Sequence, residues 1–496
     1  MSILVGVDIG TTATKVVVVD DRWRVLGEAR FEYPTSYPSD GAAEQDPQHW
    51  WRAATAGIRT ALAASGEPAS AVVAVGVSSQ APSIVVLDAR SRPLRPALLW
   101  LDRRGQSECE SHDAVAVQAI AGNRLDSYYA APKLAWLLRD EPLLREHVRH
   151  VVMANGYLVQ RLTGELCVDS GHTGLSLLND LDSRTWSSEL ADLWGIPAQW
   201  LPSIAEPDTV VGTIHAAASS ATGLVEGTPV VAGLVDGAAA SVEAGIATIG
   251  DVCEMTGQST VINAAVPQDR GRSDGSLSVM PYVVPGHHLA FGSMVSTGGI
   301  LRWYREQFAT GADFAELDAL ADTAPLGGGG LLLLPYFLGE RSPIWDSRVR
   351  GVLMGLSMST TRADMVRAIL EGTAYGLAHN LDELARLGVE PTALRVVGGG
   401  AAGSTWNQIK ADVTGVRVQR SANAMGAPVG AAMVAAAGVG VVDDLTAVMA
   451  ARSVVTDTYA PDPDRHAEYR GYYQAYRRLY PALSEVTEDL ARLRTR

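Results

Sequence analysis

A short turn between two apolar runs carries the residues best suited to phosphate chemistry. It reads Asp8-Ile9-Gly10-Thr11-Thr12, with β-branched residues on both sides. Glycine and threonine in a turn expose backbone N–H groups and hydroxyls that suit phosphate oxygens. An aspartate at the end of the preceding strand can hold Mg²⁺ directly or through water. The same string also suits a plain hairpin turn, and the residues alone leave both interpretations open.

Lysine is rare in this chain. Only Lys15, Lys133 and Lys410 occur among 40 basic residues. A compositional bias of the genome is the simpler explanation, and the alternative is that lysine is kept where a compact ammonium group matters. Lys15 is the candidate for such a role, because it follows the turn that could hold phosphate.

Asp236 is a second candidate, because it lies among small and apolar residues just after a predicted strand. A carboxylate in such a place is costly unless it is used in chemistry or caps a helix. From the local sequence we favour a cap on a helix that begins at Gly237. The alternative is catalysis, in which the carboxylate accepts a hydroxyl proton during phosphoryl transfer.

A glycine cluster at 398–403 matches the GxGxxG spacing of a dinucleotide site. The match is weak, because the next predicted strand ends in Gln419-Arg420 rather than in an acid that could bind ribose. Too few residues follow for a six-stranded dinucleotide fold. A glycine-rich turn under a nucleotide base fits at least as well, so an NAD(P) dehydrogenase is a minor alternative. No GxxxxGK[ST] string occurs, and a P-loop is not supported.

The elements that must position these residues predict an α/β protein. The turn at Gly10 joins two predicted strands of a hairpin, and a similar hairpin is predicted around Thr256-Gly257-Gln258-Ser259, which makes a weak internal repeat. Strand-like and helix-like stretches alternate between and after the two hairpins. The predicted strands are 72–77, 151–153, 230–232 and 394–397, and the predicted helices are 134–145 and 406–414.

Two other patterns are interpreted as structural. Tyrosines recur at helical spacing near the end of the chain, which predicts a packed helix face; they are Tyr469, Tyr472, Tyr473 and Tyr476, followed by Leu479. The pair His287-His288 has no carboxylate or cysteine at ligand spacing, so a solvated loop is favoured over a metal site.

Composition narrows the class of protein. The 496 residues are 47% hydrophobic and 19% charged, which is typical of a globular protein, and their number predicts two domains. A net charge of −15 makes the chain a poor general binder of nucleic acid or of an anionic membrane. Three scattered cysteines fit a reducing compartment, and neither a signal peptide nor a membrane span is evident. The predicted location is the cytoplasm.

Taken together, these motifs resemble the FGGY family of carbohydrate kinases in the actin-like ATPase superfamily. The most specific match is GVLMGL at 351–356, then seven residues, then Asp364-Met365 and AILE at 368–371. KLAWL at 133–137 is similar to the first family signature, with departures at Ala130 and Asp140. Other similar blocks are EQDP at 44–47, WLDRR at 100–104, GGGA at 398–401 and WNQ at 406–408.

The resemblance implies an α/β fold of two actin-like (ribonuclease H-like) ATPase domains, residues 1–245 and 246–496, with ATP, Mg²⁺ and a sugar in the cleft between them. It implies that Asp236 is the general base and that Asp8 and Asp236 serve Mg²⁺. The expected contacts to nucleotide and phosphate are Gly10, Thr11, Thr12, Lys15, Gly257, Gln258, Ser259, Gly298, Gly299, Gly399, Gly400, Ala401 and Asn407. The expected sugar contacts are Gln80, Ala81, Pro82, Asp102, Tyr128, Asp236 and Gly237.

The implied activity is ATP-dependent phosphorylation of a small sugar, nearest in pattern to xylulokinases, whose substrate is a ketopentose. Three departures bear on the substrate: Ala81-Pro82 replaces the Met-His of xylulokinases and the Arg-Glu of glycerol kinases, Gly237 replaces a commoner Asn or Gln, and Gln258-Ser259 alters the second hairpin. The alternatives are another sugar or polyol, of the ribulose, gluconate, glycerol or erythritol type, or an actin-like ATPase without sugar kinase activity. A homodimer is also expected to be possible.

Overall fold

The computed structural model describes residues 2–269, 274–421, 426–452 and 454–494. Its strands, numbered along the chain, are β1 (Ile3–Ile9), β2 (Ala13–Asp20), β3 (Val25–Glu32), β4 (Glu44–Gln45), β5 (Val72–Ser79), β6 (Ile84–Leu87), β7 (Ala97–Leu98), β8 (His150–Met153), β9 (Cys167–Asp169), β10 (Asn179–Asp180), β11 (Thr185–Trp186), β12 (Ser203–Ala205), β13 (Val210–Thr213), β14 (Pro229–Val231), β15 (Leu234–Val235), β16 (Asp251–Thr256), β17 (Thr260–Pro267), β18 (Ser278–Pro281), β19 (His287–Met294), β20 (Leu332–Leu334), β21 (Val352–Met354), β22 (Ala393–Val397), β23 (Arg417–Ser421) and β24 (Val455–Tyr459).

The helices connect and cover these strands. They are α1 (Pro47–Ser65), α2 (Gln106–Cys109), α3 (Ala114–Ala121), α4 (Ala130–Asp140), α5 (Ala154–Thr163), α6 (Ser170–Gly174), α7 (Ser188–Leu193), α8 (Ala216–Thr222), α9 (Asp236–Glu243), α10 (Gly298–Phe308), α11 (Phe314–Asp322), α12 (Arg362–Arg386), α13 (Ser404–Thr414), α14 (Ala427–Gly438), α15 (Leu445–Arg452) and α16 (Pro463–Arg494).

Two sheets repeat one strand order. The first runs β3-β2-β1-β5-β14-β13, with β15 also paired to β5, and the second runs β19-β17-β16-β22-β23-β24, with β18 added beside β19. In each sheet an antiparallel hairpin, β1–β2 or β16–β17, is followed by a strand that lies parallel to its first strand. This duplication confirms the expected α/β fold of two actin-like halves and explains the weak repeat in the sequence.

The predicted elements are found close to their expected places, with one shifted helix. The helix predicted over 134–145 begins earlier and ends earlier, as α4, and a 3₁₀ turn follows at Pro142–Glu146. Proline lacks the N–H that an α-helix needs and disfavours helical geometry in the residue before it. Pro142 therefore interrupts the predicted helix for a local steric reason, which the apolar spacing alone did not reveal.

The two patterns interpreted as structural have different outcomes. Tyr469 and Tyr476 are buried on α16, which confirms a packed helix face. The solvated loop expected at His287-His288 is wrong, because both residues begin β19 and His288 is fully buried. The apolar residues after this pair continue β19 into the sheet. There β19 pairs with β17 on one side and with β18 on the other.

One helix of the second half packs on the first sheet. Helix α14 lies against β1, β5 and α9, and glycines let the backbones approach closely. A Cβ atom on Gly6 would overlap the Pro428 carbonyl oxygen, and one on Gly76 would overlap the Ala431 carbonyl oxygen. The division after residue 245 falls between α9 and β16, and it stays a prediction because α14 returns to the first half.

Substitution of Gly76 tests this close helix–sheet contact. Gly76→Ala should lower the free energy of unfolding by about 1–3 kcal/mol, because the added methyl group forces α14 away from the sheet. Gly471→Ala is the matched control, because Gly471 is an exposed residue of α16 with open space around its Cβ position. Alanine at this position should raise the free energy of unfolding by about 0.5–1 kcal/mol. Differential scanning calorimetry measures both changes, and an unaltered transition for Gly76→Ala would contradict the packing described.

Candidate active site

Two side chains hold the turn of the first hairpin by donating hydrogen bonds to its backbone carbonyl oxygens. Tyr33 Oη donates to the Gly10 carbonyl at 2.6 Å, and Gln45 Nε2 donates to the Thr11 carbonyl at 2.6 Å. In a trans peptide the C=O and the following N–H point in opposite directions. The N–H groups of Thr11 and Thr12 therefore point away from Tyr33 and Gln45, and Thr11 lines the cleft between the two halves. The turn is fixed in a form that offers amide donors.

Two carboxylates, those of Asp8 and Asp236, lie close together beside β5. Asp8 pairs in register with Ser78 on β5, and Val235, which precedes Asp236, pairs with Ser79 on the other edge of the same strand. Burial and the negative charge of Asp236 together raise the pKa of Asp8 to about 7. The two sequence-distant acids are therefore close enough to repel each other.

Opposing groups favour the charged forms of both acids. Ser78 Oγ donates to Asp8 Oδ1 at 2.9 Å, and the Gly237 N–H donates to Asp236 Oδ1 at 2.7 Å. Burial raises the pKa of Asp236, whereas the Gly237 N–H, the neighbouring His172 and the charge of Lys15 lower it. Lys15 stands opposite Asp8 in the β1–β2 hairpin. Its ammonium group is exposed, near both carboxylates, at the place where phosphate is expected.

The expected helix cap at Asp236 is wrong in its geometry. Asp236 is the first residue of α9, the N-cap is Val235, and the Asp236 side chain bonds only the N–H of the next residue. Its side chain is half-buried and lines the cleft. This position favours a catalytic role for Asp236 over a helix cap, the two interpretations made from the sequence.

The sugar contacts expected on the first half divide into two groups. Ala81, Tyr128, Asp236 and Gly237 line the cleft, and Tyr128 Oη donates to the Ala81 carbonyl at 2.9 Å. Gln80 and Pro82 are buried behind Ala81, where Gln80 Nε2 donates to Gln45 Oε1 at 3.1 Å.

Asp102 is placed differently. It is fully buried, it accepts the Ala43 N–H at 3.0 Å, and it forms an ion pair with Arg104 at 2.6 Å. Its neighbours Leu101 and Arg103 line the cleft instead. This arrangement favours a role in holding the loop, and a direct sugar contact by Asp102 stays a prediction.

The nucleotide contacts expected on the second half come together around the second hairpin. The carbonyl of Gln258 accepts the N–H groups of Thr297 at 3.1 Å and of Gly299 at 3.0 Å. A Cβ atom on Gly298 would overlap the Gly257 carbonyl oxygen, and one on Gly400 would overlap the Thr256 side chain. Glycine at these positions lets three separate segments meet.

The exposed side of the second hairpin and of the glycine-rich turn leaves room for a ligand. Gly257, Gln258 and Ser259 are exposed, as is Gly399, around whose Cβ position the space is open. Ala401 is buried, and its carbonyl accepts Asn407 Nδ2 at 2.9 Å. Asn407 is fully buried, so it supports the glycine-rich turn from behind.

Two supporting residues were missed in the sequence. Lys410 pairs with Glu254 at 2.7 Å beneath the second hairpin, and Glu254 in turn accepts the Thr256 hydroxyl at 2.6 Å. Lys133 is fully buried and donates to carbonyls of the loop that carries Tyr128. The rarity of lysine was the one signal that could have found them.

The cleft has a volume of about 1250 Å³ and is lined by both halves. Asp236 and Tyr128 come from the first half, and Ser259, Glu340 and Arg341 come from the second. Burial raises the pKa of Glu340 to about 8. Neither Glu340 nor Arg341 was singled out from the sequence.

Metal ligation is limited to a pair of acids. In the ranges that the structure covers, no group of three or more His, Cys, Asp or Glu side chains could hold a metal ion. Asp8 and Asp236 fit a cation that takes most of its ligands from phosphate and water, as Mg²⁺ commonly does. Two carboxylates that repel each other are also what a divalent cation would stabilise. Separately, none of the helices described here is both long and apolar enough to cross a membrane.

Comparison with known proteins agrees with this geometry. The N-terminal domain of the FGGY family of carbohydrate kinases matches residues 3–242, and the C-terminal domain of that family matches residues 255–439. The chain is 30% identical to the xylulose kinase of Lactococcus lactis subsp. lactis over 99% of both chains. It is 32% identical to the glycerol kinase of Chloroflexus aurantiacus, over 96% of this chain and 98% of the relative.

A solved structure extends the likeness to the whole fold. The crystal structure of xylulose kinase from Rhodospirillum rubrum superposes with a TM-score of 0.91 at 33% identity, over 98% of this chain and 100% of that one. The chain belongs to the FGGY family of carbohydrate kinases and is a phosphotransferase that uses ATP to phosphorylate a small sugar.

Proposed function

We propose that this enzyme transfers the γ-phosphoryl group of MgATP to one hydroxyl of a ketopentose such as xylulose. The observation that carries the proposal is the position of Asp236, which faces the cleft beside Asp8 and the amide-presenting turn of the first hairpin. Relatives named xylulose kinase support the choice of sugar.

Asp236 acts as the general base. It takes the proton of the sugar hydroxyl while the new O–P bond forms, and the bond from the γ-phosphorus to the bridging oxygen breaks to release ADP. The base must be ionised to do this, although burial opposes ionisation. The Gly237 N–H, His172 and the charge of Lys15 offset part of the effect of burial.

The phosphate groups lie at the two hairpins. The N–H groups of Thr11 and Thr12, with the ammonium group of Lys15, stabilise negative charge on the transferring group. On the other side, the exposed backbone of Gly257, Gln258 and Ser259 approaches the phosphates. Gln258-Ser259 departs from the usual Gly-Thr-Ser of the family, but its backbone is fixed by Thr297 and Gly299.

Asp8 and Asp236 would hold Mg²⁺, directly or through water. When bound, the ion neutralises charge on the β- and γ-phosphates. Ser78 fixes the orientation of Asp8 for this purpose, because its hydroxyl donates to one carboxylate oxygen and leaves the other available. The nucleotide is placed by Gly298-Gly299 and by Gly399-Gly400-Ala401, with Asn407 supporting the latter turn.

The sugar is placed by Ala81, Tyr128 and Gly237, with Gln80 and Pro82 behind them. Ala81 and Gly237 bring no polar side chain, so hydroxyl recognition beside them depends on Asp236 and on other polar residues of the first half that line the cleft, such as Arg103 and Asp126. Missing polar partners weaken discrimination among sugars.

We also propose that the protein is a homodimer and that it is located in the cytoplasm. Gel filtration tests the oligomeric state, and cell fractionation tests the location.

A substrate panel tests the proposed reaction. With D-xylulose, D-ribulose, gluconate, glycerol and erythritol in a coupled ADP assay, D-xylulose should give the highest kcat/KM. ADP release that no member of the panel accelerates would contradict the proposal and favour an ATPase without a sugar acceptor. A polyol as the best substrate would keep the reaction and replace the sugar.

Asp236→Asn tests the base. The amide is isosteric and keeps the contact with the Gly237 N–H, so the fold and the dissociation constant for sugar should change little. The kcat should fall by about a hundredfold to ten-thousandfold, because the proton has no acceptor. Asp192→Asn, on the exposed face of α7, is the control. Near-normal turnover of Asp236→Asn would discard the assignment.

Asp8→Asn tests the metal site. Loss of one negative ligand should raise the Mg²⁺ concentration for half-maximal activity about tenfold or more and leave the sugar KM unchanged. Binding of Mn²⁺ in the presence of ATP, followed by electron paramagnetic resonance, should weaken in parallel. An unchanged Mg²⁺ requirement would remove Asp8 from the metal site.

A further inference from the structure

Two side chains on the second half of the cleft have buried polar atoms with no hydrogen-bond partner among the residues described. Glu340 is 4% exposed and lines the cleft. Its Oε1 accepts the N–H groups of Val295 at 2.9 Å and of Arg341 at 2.8 Å. Among the residues described, Oε2 has no hydrogen-bond partner. A buried polar atom without a partner is costly, so an unpaired one in a ligand cleft points to a ligand that supplies the missing partner.

Arg341 presents the complementary donors. In the same part of the structure, its Nε and Nη2 atoms are buried without a hydrogen-bond partner. The guanidinium also packs on aromatic rings: it lies 4.2 Å from the centre of the Tyr128 ring and 5.5 Å from that of Trp345. Ring stacking leaves the direction of the N–H groups less fixed than a salt bridge does, so they can turn toward a ligand.

Tyr128 connects this pair to the reaction centre. Burial raises the pKa of Tyr128, the charge and a side-chain hydrogen bond of Arg341 lower it, and the charge of Asp236 raises it further. Tyr128 is therefore near both groups, and one aromatic residue lies between the proton acceptor of the first half and the donors of the second. Asp236, Tyr128 and Arg341 all line the same cleft, so a ligand held by Asp236 can extend past Tyr128 to Arg341.

We propose that Glu340 and Arg341 form a subsite for adjacent hydroxyls at the end of the sugar that is distant from the phosphorylated hydroxyl. A hydroxyl both donates and accepts, so one can donate to Glu340 Oε2 while its neighbour accepts from Arg341 Nε or Nη2. The subsite selects sugars of pentulose length or longer over glycerol. This inference rests on the proposed function and adds contacts from the second half to a sugar site otherwise built from the first.

Arg341→Met is the test variant, because methionine keeps apolar packing over Tyr128 and removes every donor. The KM for D-xylulose should rise about tenfold or more, the KM for ATP should stay within about twofold, and any activity on glycerol should be unaffected. Arg350→Met is the matched control. Arg350 is an exposed arginine nearby whose guanidinium bonds backbone carbonyls of its own loop, and its loss should leave the D-xylulose KM unchanged.

Glu340→Gln provides a second variant if Arg341→Met does not fold. The amide oxygen can keep the two backbone contacts, and the NH₂ group replaces the unused acceptor, so D-xylulose should again bind more weakly. Binding is also measured without ATP, by quenching of the fluorescence of the cleft tryptophans Trp100 and Trp345. An unchanged D-xylulose affinity in the folded variant overturns the subsite, even if the wild-type enzyme phosphorylates D-xylulose. A wild-type enzyme that neither binds nor phosphorylates D-xylulose overturns the proposed function and the subsite together.

Discussion

The repulsion between the carboxylates of Asp8 and Asp236 is the constraint around which this site is arranged. Asp8 lies on β1 and Asp236 directly follows β15, and because both strands pair with β5, the sheet brings the two acids close together. Burial and mutual repulsion raise the pKa of Asp8 to about 7. Ser78, Lys15 and the Gly237 N–H offset only part of this cost. In the proposed mechanism, a divalent cation bound with a phosphate chain would supply the missing compensation and so would couple nucleotide binding to ionisation of Asp236.

The duplicated fold gives each half one hairpin, and the two hairpins are supported differently. In the first, the carbonyls of Gly10 and Thr11 are held by Tyr33 and Gln45 side chains, so the turn faces its ligand with amides. In the second, glycines remove the side chains that would separate the hairpin from α10 and from the turn after β22. The departure from the family at Gln258-Ser259 therefore alters the side chains there, whereas the backbone position is set by α10 and by the turn after β22.

Buried charges also hold the loops that surround the substrates. Lys410 pairs with Glu254 under the second hairpin, and Lys133 holds the carbonyls of the Tyr128 loop. Asp102, within a block similar to the family, is paired with Arg104 in the same supporting manner. A polar residue near an active site can therefore serve the backbone rather than the ligand, and only its partners distinguish the two roles.

The sequence by itself determined the α/β class, the two hairpins, the glycine-rich turn and the acids Asp8 and Asp236, because these depend on local composition and short spacing. It did not reveal the buried start of β19 at His287-His288, the packing of α14 on the first sheet, or the unused polar atoms of Glu340 and Arg341. Each of these depends on contacts between residues far apart in the chain. Burial and hydrogen-bond partners are properties of the folded environment, so only the tertiary structure decided which polar residues face the cleft.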